Sequence, residues 1–460
     1  MMAKDKYTHA IRVDTTTCIG CSHCMKVCPT QAIRIVDGHA NIRSERCVDC
    51  GECSRVCPVD AIYVQDDEMK IMEDFDYRVA LIPSVFIGQF PAEFTTSRIL
   101  QAVHQLGFHE VFEVEHAVDL IKEEYKRQSE NADGPRPRIS SYCPAIVRLI
   151  QVVFPSLTDH ILQLKAPHDI AADYCKAKIQ TEQQDVFKPG VFYITPCASK
   201  IVAAKAPEGE EKSPIDGVFN MNALYNKVYK VLVGDDKNQC RKQVADLSPD
   251  SVNWSLSGYE RKYFNGRALA IDGMVNVLEF LEKLESGQIS EIDFLELRAC
   301  DQGCAGGILC PGNRFLTVER LESRQNRLEV LLKLNEELNN PLMESASELS
   351  KNLSINSILP RSEMLIDKDM ETALRKMDRL KTIVAYLPGF DCGACGAPTC
   401  RSLAEDIVKN KASMSYCVFV QRIMEKNYKL SPEQAFQMIE KIWGKNRLNK
   451  YIDKNGNNDA

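Results

Sequence analysis

Sixteen of the nineteen cysteines fall into three sets, and that pattern constrains the fold more than anything else in the chain. Two N-terminal runs read C-x2-C-x2-C-x3-C-P: Cys18, Cys21, Cys24 and Cys28-Pro29, then Cys47, Cys50, Cys53 and Cys57-Pro58. The C-terminal part carries Cys392, Cys395, Cys400 and Cys417, and Cys143, Cys197, Cys300 and Cys304 are dispersed between. Thiolate is the preferred ligand of iron–sulfur clusters. Disulfides explain so many thiols poorly in a cytoplasmic chain. Such a chain moves electrons or senses redox state, and an oxygen-sensitive protein from an anaerobic source is expected.

A cubane cluster needs four thiolates around one small volume. In paired runs of this kind, three come from a tight loop and the fourth from the other run. Cys18, Cys21, Cys24 and Cys57 are therefore assigned to one cluster, and Cys47, Cys50, Cys53 and Cys28 to the other. Ala32-Ile33 and Ala61-Ile62 follow at matching offsets, an internal repeat of roughly 29 residues. Zinc is the alternative, but it favours two well-separated C-x2-C pairs. His23 reads as a solvent-facing loop residue.

The segment LPGFDCGACGAPTCRSLAEDIVKN spaces three thiols C-x2-C-x4-C, and Cys417 follows beyond it. Thr399 to Asn410 reads as a helix with Leu403, Ala404, Ile407 and Val408 on one face. Cys417 then returns to close the site. The segment resembles the small four-iron cluster domain of anaerobic redox proteins.

Net charge is −7, so no global field draws the chain to nucleic acid or acidic membranes. No stretch approaches a membrane-spanning length. The polar start lacks an apolar signal core, which gives a cytoplasmic expectation.

The four dispersed cysteines lie in Ser140-Ser141-Tyr142-Cys143-Pro144, Thr195-Pro196-Cys197-Ala198-Ser199-Lys200, and Leu297-Arg298-Ala299-Cys300-Asp301-Gln302-Gly303-Cys304-Ala305-Gly306-Gly307. Two follow strand-like runs, Val191 to Ile194 and Phe294-Leu295. Cysteines at buried strand ends suit a shared site at a sheet edge. These segments resemble, in order and separation, the three signature loops of the FeFe hydrogenases. The resemblance covers roughly residues 1 to 320. Ala80 to Val85 looks like that family's first cofactor-lining strand, and Trp254 to Gly258 and Ile271-Asp272-Gly273 also match.

The resemblance implies a six-iron H-cluster: a cubane on Cys143, Cys197, Cys300 and Cys304, with Cys304 bridging to a two-iron unit that carries carbon monoxide and cyanide. It implies that Lys200 hydrogen-bonds a cyanide and that Pro83 and Ser84 line the two-iron unit. It further implies maturation enzymes, hydrogen and protons as reactants, and an electron-transfer or signalling protein as partner. The fold class that follows is α+β and α/β, multidomain. Residues 1–72 form a ferredoxin-like two-cluster domain, 73–325 a two-lobed α/β hydrogenase-like domain and 326–380 a helical connector. Residues 381–448 form a small, mostly helical cluster domain, and 449–460 a tail.

The match breaks around the cavity. Efficient hydrogenases place a proton-relaying cysteine where this chain has Tyr142, whose ordinary pKa is roughly 1.5 units higher. Thr195 replaces a methionine, Ala203 replaces a relay glutamate, and the glycine-rich end of the third loop becomes Gly306-Gly307-Ile308-Leu309-Cys310. General acid catalysis contributes about 10²–10⁴-fold, so slow hydrogen turnover is expected. A hydrogenase body followed by the C-terminal cluster segment resembles the sensory branch of the family. Three functions follow as expectations: a slow, reversible hydrogen or redox sensor; a catalytic subunit exchanging electrons with ferredoxin; or an electron-transfer protein without the two-iron unit.

Four further expectations concern the rest of the chain. Leu328, Leu331, Leu332, Leu334 and Leu338 form a helical stripe packed on the body, broken at Asn339-Asn340-Pro341. Asp369 to Leu380 forms a second helix. Ser431-Pro432-Glu433-Gln434 opens a third with a capping box, exposing a stripe of Phe436, Ile439 and Ile442. Cys175 and Cys240 are ordinary buried or loop cysteines, and Cys310, close to the third loop, is either another of these or an extra thiol near the active centre.

Overall fold

Short apolar runs set the architecture of the first of two compact units, which comprises Met1–Ala10, Val48–Cys50 and Gln65–Pro360. The computed structural model describes residues 9–131, 133–182, 188–234, 247–334, 340–361 and 369–445. One parallel sheet has the order Glu110–Glu113, Tyr77–Ile82, Pro189–Thr195, Gly217–Asn220. Val79 to Ile82 and Val191 to Ile194 are fully buried, as parallel strands covered on both faces require. A second parallel sheet has the order Ala268–Asp272, Phe294–Arg298, Arg138–Ile139. Its core gathers Ile139, Ile146, Leu149, Val277, Leu281 and Leu295. The molecule is thus a mixed α/β protein.

Two expectations change here. The strand expected to run from Ala80 to Val85 ends at Ile82; Pro83 follows, and Ser84–Ile87 forms a short helix. Proline has no N–H to continue a ladder. The leucine stripe sits on the helix Arg314–Leu334, but only Leu328 of it is buried, while Leu331, Leu332 and Leu334 are exposed. The buried face is instead Thr317, Leu321, Arg324 and Leu328. Arg324 belongs there because its guanidinium pairs bidentately with the buried Glu113 carboxylate, at 2.7 and 2.8 Å. Leu338, Asn339, Cys240 and residues 450–460 lie outside the described residues.

The second unit comprises Ile11–Cys47, Gly51–Val64 and Arg361–Ala460. Ile11–Val13 pairs antiparallel with Ile62–Val64, and Ile33–Val36 with His39–Ile42. The internal repeat holds at atomic detail. The Ala32 N–H donates to Cys28 Sγ and the Ala61 N–H to Cys57 Sγ, both at 3.2 Å. The helix Cys400–Val408 is capped by Thr399 and buries Leu403, Ala404, Ile407 and Val408. It stops short of Asn410, which adopts a left-handed conformation at φ 56. The helix Met370–Tyr386 runs beyond Leu380 because Leu380 and Ile383 both bury in the core formed with Leu403 and Ile407. The capping box at Ser431 and Gln434 is present, opening Pro432–Trp443. In that helix Ile442 is buried and Phe436 is exposed. Among the described residues, no helix is long and apolar enough to cross a membrane.

Candidate iron–sulfur and redox site

The dispersed cysteines come together at the C-terminal ends of parallel strands, where open α/β sheets place their ligands. Cys143 follows Arg138–Ile139 and immediately precedes the helix Pro144–Val153. Cys197 follows Pro189–Thr195 and immediately precedes Ala198–Lys205, the helix that carries Lys200. Cys300 and Cys304 follow Phe294–Arg298. All four line one cavity with Lys200, Arg298 and Cys50. The third loop is held close to its neighbours. Gly303 has φ +62, and a Cβ there would lie 2.6 Å from Ser255 O. That approach lets the Cys304 N–H donate to the Ser255 carbonyl at 2.9 Å. A Cβ on Gly307 would lie 2.4 Å from Pro196 O, the carbonyl that accepts the Leu309 N–H.

Burial dominates the electrostatics. It raises the Cys143 thiol and pushes Cys197 up to about 11, against the pull of Lys200. Thiols this reluctant to ionise need a metal to hold them as thiolates. Lys200 is 1 % exposed, and its Nζ has no hydrogen-bond partner among the described residues. A buried ammonium in that state calls for an anion. Four thiolates around a cubane supply both donor set and negative charge, so the residues fit a cubane held by Cys143, Cys197, Cys300 and Cys304.

They do not fit the two-iron unit. Tyr142 is 7 % exposed, its Oη lies 3.9 Å from Cys304 Sγ, and its ring centroid lies 4.0 Å from Lys200 Nζ. It lies against both of the atoms that unit would have to reach. Pro83 and Ser84 are not among the residues lining the cysteine cavity. Ser84 instead donates its N–H (2.8 Å) and its hydroxyl (2.9 Å) to the two Glu115 carboxylate oxygens, and the hydroxyl is also 2.6 Å from the Val252 carbonyl.

Two groups at the site, Arg298 and Glu115, have no role assigned from sequence, and a third, Cys310, falls where an extra thiol near the centre is one of its two readings. Arg298 is buried and its guanidinium carbon lies 4.0 Å from the Tyr142 ring centroid. It pairs with Glu260 at 2.5 Å and Glu296 at 3.4 Å. The one available signal was charge alternating with leucine in an apolar strand, Phe294-Leu295-Glu296-Leu297-Arg298. Cys310, also in the third loop, points its Sγ at the Cys304 carbonyl at 3.3 Å. Glu115 is fully buried, and burial pushes its carboxyl up to about 8, against the Ser84 hydrogen bonds. Its folded pKa therefore lies above its ordinary 4.5. Its contribution to stability is complete below about 4.5 and is lost as pH rises towards about 8, on the order of 1.4 kcal/mol per pH unit. Glu115→Gln should flatten that decline in urea titrations across the window. An unchanged slope would assign the decline to other groups.

In the second unit, Cys24 has Cys21, Cys18 and Cys57 close by, and burial pushes it up to about 12. Cys53 has Cys47 and Cys28 beside it, and burial raises it well above the ordinary range. His23 is exposed. Cys395 is pushed up to about 11 by burial, with Cys417 and Cys392 near it. The Cys400 N–H donates to Asp391 Oδ1 at 2.6 Å, closing the loop, and Cys417 immediately precedes the next helix, Val418–Lys426.

Thiol sets in tight loops, joined to a parallel α/β body, define an iron–sulfur redox protein. Residues 77–229 match the family "Iron only hydrogenase large subunit, C-terminal domain". Residues 10–58 match the "4Fe-4S dicluster domain" and 387–419 an Fe-S cluster family. Iron hydrogenase 1 of Clostridium pasteurianum is 25% identical over 317 residues, covering 56% of this chain and 54% of that protein. The periplasmic Fe hydrogenase large subunit of Nitratidesulfovibrio vulgaris is 28% identical over 222 residues, covering 44% and 52%. The chain spans about half the length of these curated relatives. A variant of FeFe-hydrogenase HydA1 from Chlamydomonas reinhardtii superposes with TM-score 0.47 at 15% identity, over 62% of this chain and 94% of that one. The chain is a FeFe-hydrogenase-like iron–sulfur protein, homologous to hydrogenase large subunits.

Proposed function

We propose that this protein is a redox-responsive, hydrogenase-like electron carrier of the sensory type, whose output is the oxidation state of its clusters rather than hydrogen turnover. One observation carries the reading: four cysteines from three separate loops line one cavity beside a buried lysine that has no hydrogen-bond partner among the described residues. That arrangement suits a cluster that stores an electron. Tyr142 and Ala203 stand where the hydrogenase family relays the protons that fast turnover needs, and Thr195 alters the cavity wall. The full set is two N-terminal cubanes, one in the middle and one at the C-terminus, exchanging electrons with a protein partner in the cytoplasm. A catalytic subunit working with ferredoxin is the competing function.

The test is an anaerobic redox titration followed by electron paramagnetic resonance, with hydrogen uptake measured on the same sample. Four reducible cubane signals are expected, with uptake at least about 10²-fold below that of a bidirectional hydrogenase. Uptake at a comparable rate would sink the proposal.

A further inference from the structure

We infer that the middle site takes a cubane and excludes a two-iron unit, because the Tyr142 ring stands where that unit would sit. The inference rests on the cluster reading above. A two-iron unit in this site has to satisfy two contacts at once: a bond to Cys304 Sγ and a hydrogen bond from Lys200 Nζ. Tyr142 meets both atoms first, with its Oη 3.9 Å from the sulfur and its ring 4.0 Å from the ammonium.

The ring is held there. Its second cation, Arg298, is anchored by Glu260 at 2.5 Å, by Glu296 at 3.4 Å and by the Trp254 carbonyl at 2.9 Å. Cation–ring contacts are strongest where water is excluded, and Lys200, Arg298 and Tyr142 are all buried. The backbone beneath the ring is fixed as well. The Tyr142 N–H donates to Ser140 Oγ at 3.1 Å, and the carbonyl of the next residue, Cys143, accepts the Ile146 and Val147 N–H groups of a helix at 3.0 and 3.1 Å. If the ring swung out, Lys200 would lose its nearest aromatic contact. Ser84, expected to line the two-iron space, has instead committed its hydroxyl to Glu115 and Val252. The anion that Lys200 needs is available without any cyanide, because a cubane on four thiolates carries negative charge itself.

The full chain, loaded anaerobically with iron and sulfide, would be incubated with a synthetic two-iron complex bearing carbon monoxide and cyanide. It would then be desalted and read by infrared and by electron paramagnetic resonance. The wild type should keep its middle-cubane signal and show no carbon monoxide or cyanide bands. Tyr142→Phe keeps the ring and should exclude the complex equally. Tyr142→Ala opens the space and should retain the bands; Tyr142→Cys serves if the alanine variant does not fold. Bands retained by the wild type would overturn the inference. Exclusion by the alanine or cysteine variant, with its middle cubane intact, would also overturn it, since the barrier would then not be Tyr142. Absence of the middle-cubane signal from the wild type would strike the cluster reading itself, so the two failures appear in different spectra.

Discussion

Cys300→Ser should abolish the middle cluster and leave the others in place. Serine offers a harder oxygen donor that ionises far less readily than a thiol, and iron–sulfur clusters select soft thiolate. The loss has a second cost. Without a cluster anion, Lys200 stays buried with no hydrogen-bond partner among the described residues, beside the equally buried Arg298. Uncompensated buried charge is strongly destabilising, on the order of 3–5 kcal/mol. Iron analysis should show one cubane fewer per chain, paramagnetic resonance should lose one signal, and the thermal midpoint of the first unit should fall. Cys310→Ser is the control. Cys310 Sγ lies 3.3 Å from the Cys304 carbonyl, so it touches the loop without belonging to the four-thiol set. That variant should keep full iron. Equal iron in Cys300→Ser and the wild type would remove Cys300 from the ligand set.

Asp406→Ala should unfold the second unit at markedly lower denaturant. The Asp406 carboxylate sits on the cluster-segment helix Cys400–Val408 and meets Arg34 Nε at 2.7 Å, with Arg43 on its other oxygen. The Arg34 and Asp406 side chains are each only 5 % exposed. Removing the shared anion leaves both guanidiniums, Arg34 buried and Arg43 partly so, without their carboxylate. Breaking a buried pair on one side costs about 3–5 kcal/mol, far more than a surface pair is worth. A urea titration followed by circular dichroism should show the fall. Arg43→Ala should cost less, because Arg34 still pairs with the carboxylate and Arg43 is more exposed, at 15 %. A change within about 0.5 kcal/mol for Asp406→Ala would mean that the ion pairs contribute little to this unit.

Much of the candidate site was readable from local spacing. A C-x2-C-x2-C-x3-C-P run states its own geometry, since a tight loop must present three thiols to one volume. The cap at Ser431 and the helix after Thr399 were readable for the same reason: each depends on residues within one or two turns. The strand reading over Ala80 to Val85 fails past Ile82 because Pro83 ends the ladder, and the Ser84 hydroxyl donates to Glu115, 31 residues away, which no local pattern shows. The leucine stripe was misread because Arg324 takes a buried position only by pairing with Glu113, 211 residues away.

The sequence alone determined the thiol sets, the redox class and the family resemblance, because ligand spacing and loop chemistry are written along the chain. Only the tertiary structure decided what surrounds the thiols. It brought Arg298, 156 residues beyond Tyr142 by number, against that ring beside Lys200, and it joined Asp406 to Arg34 across 372 residues. Those contacts depend on how strands and helices pack. A charge in an apolar run does not announce its partner until packing removes the water that would otherwise have solvated it.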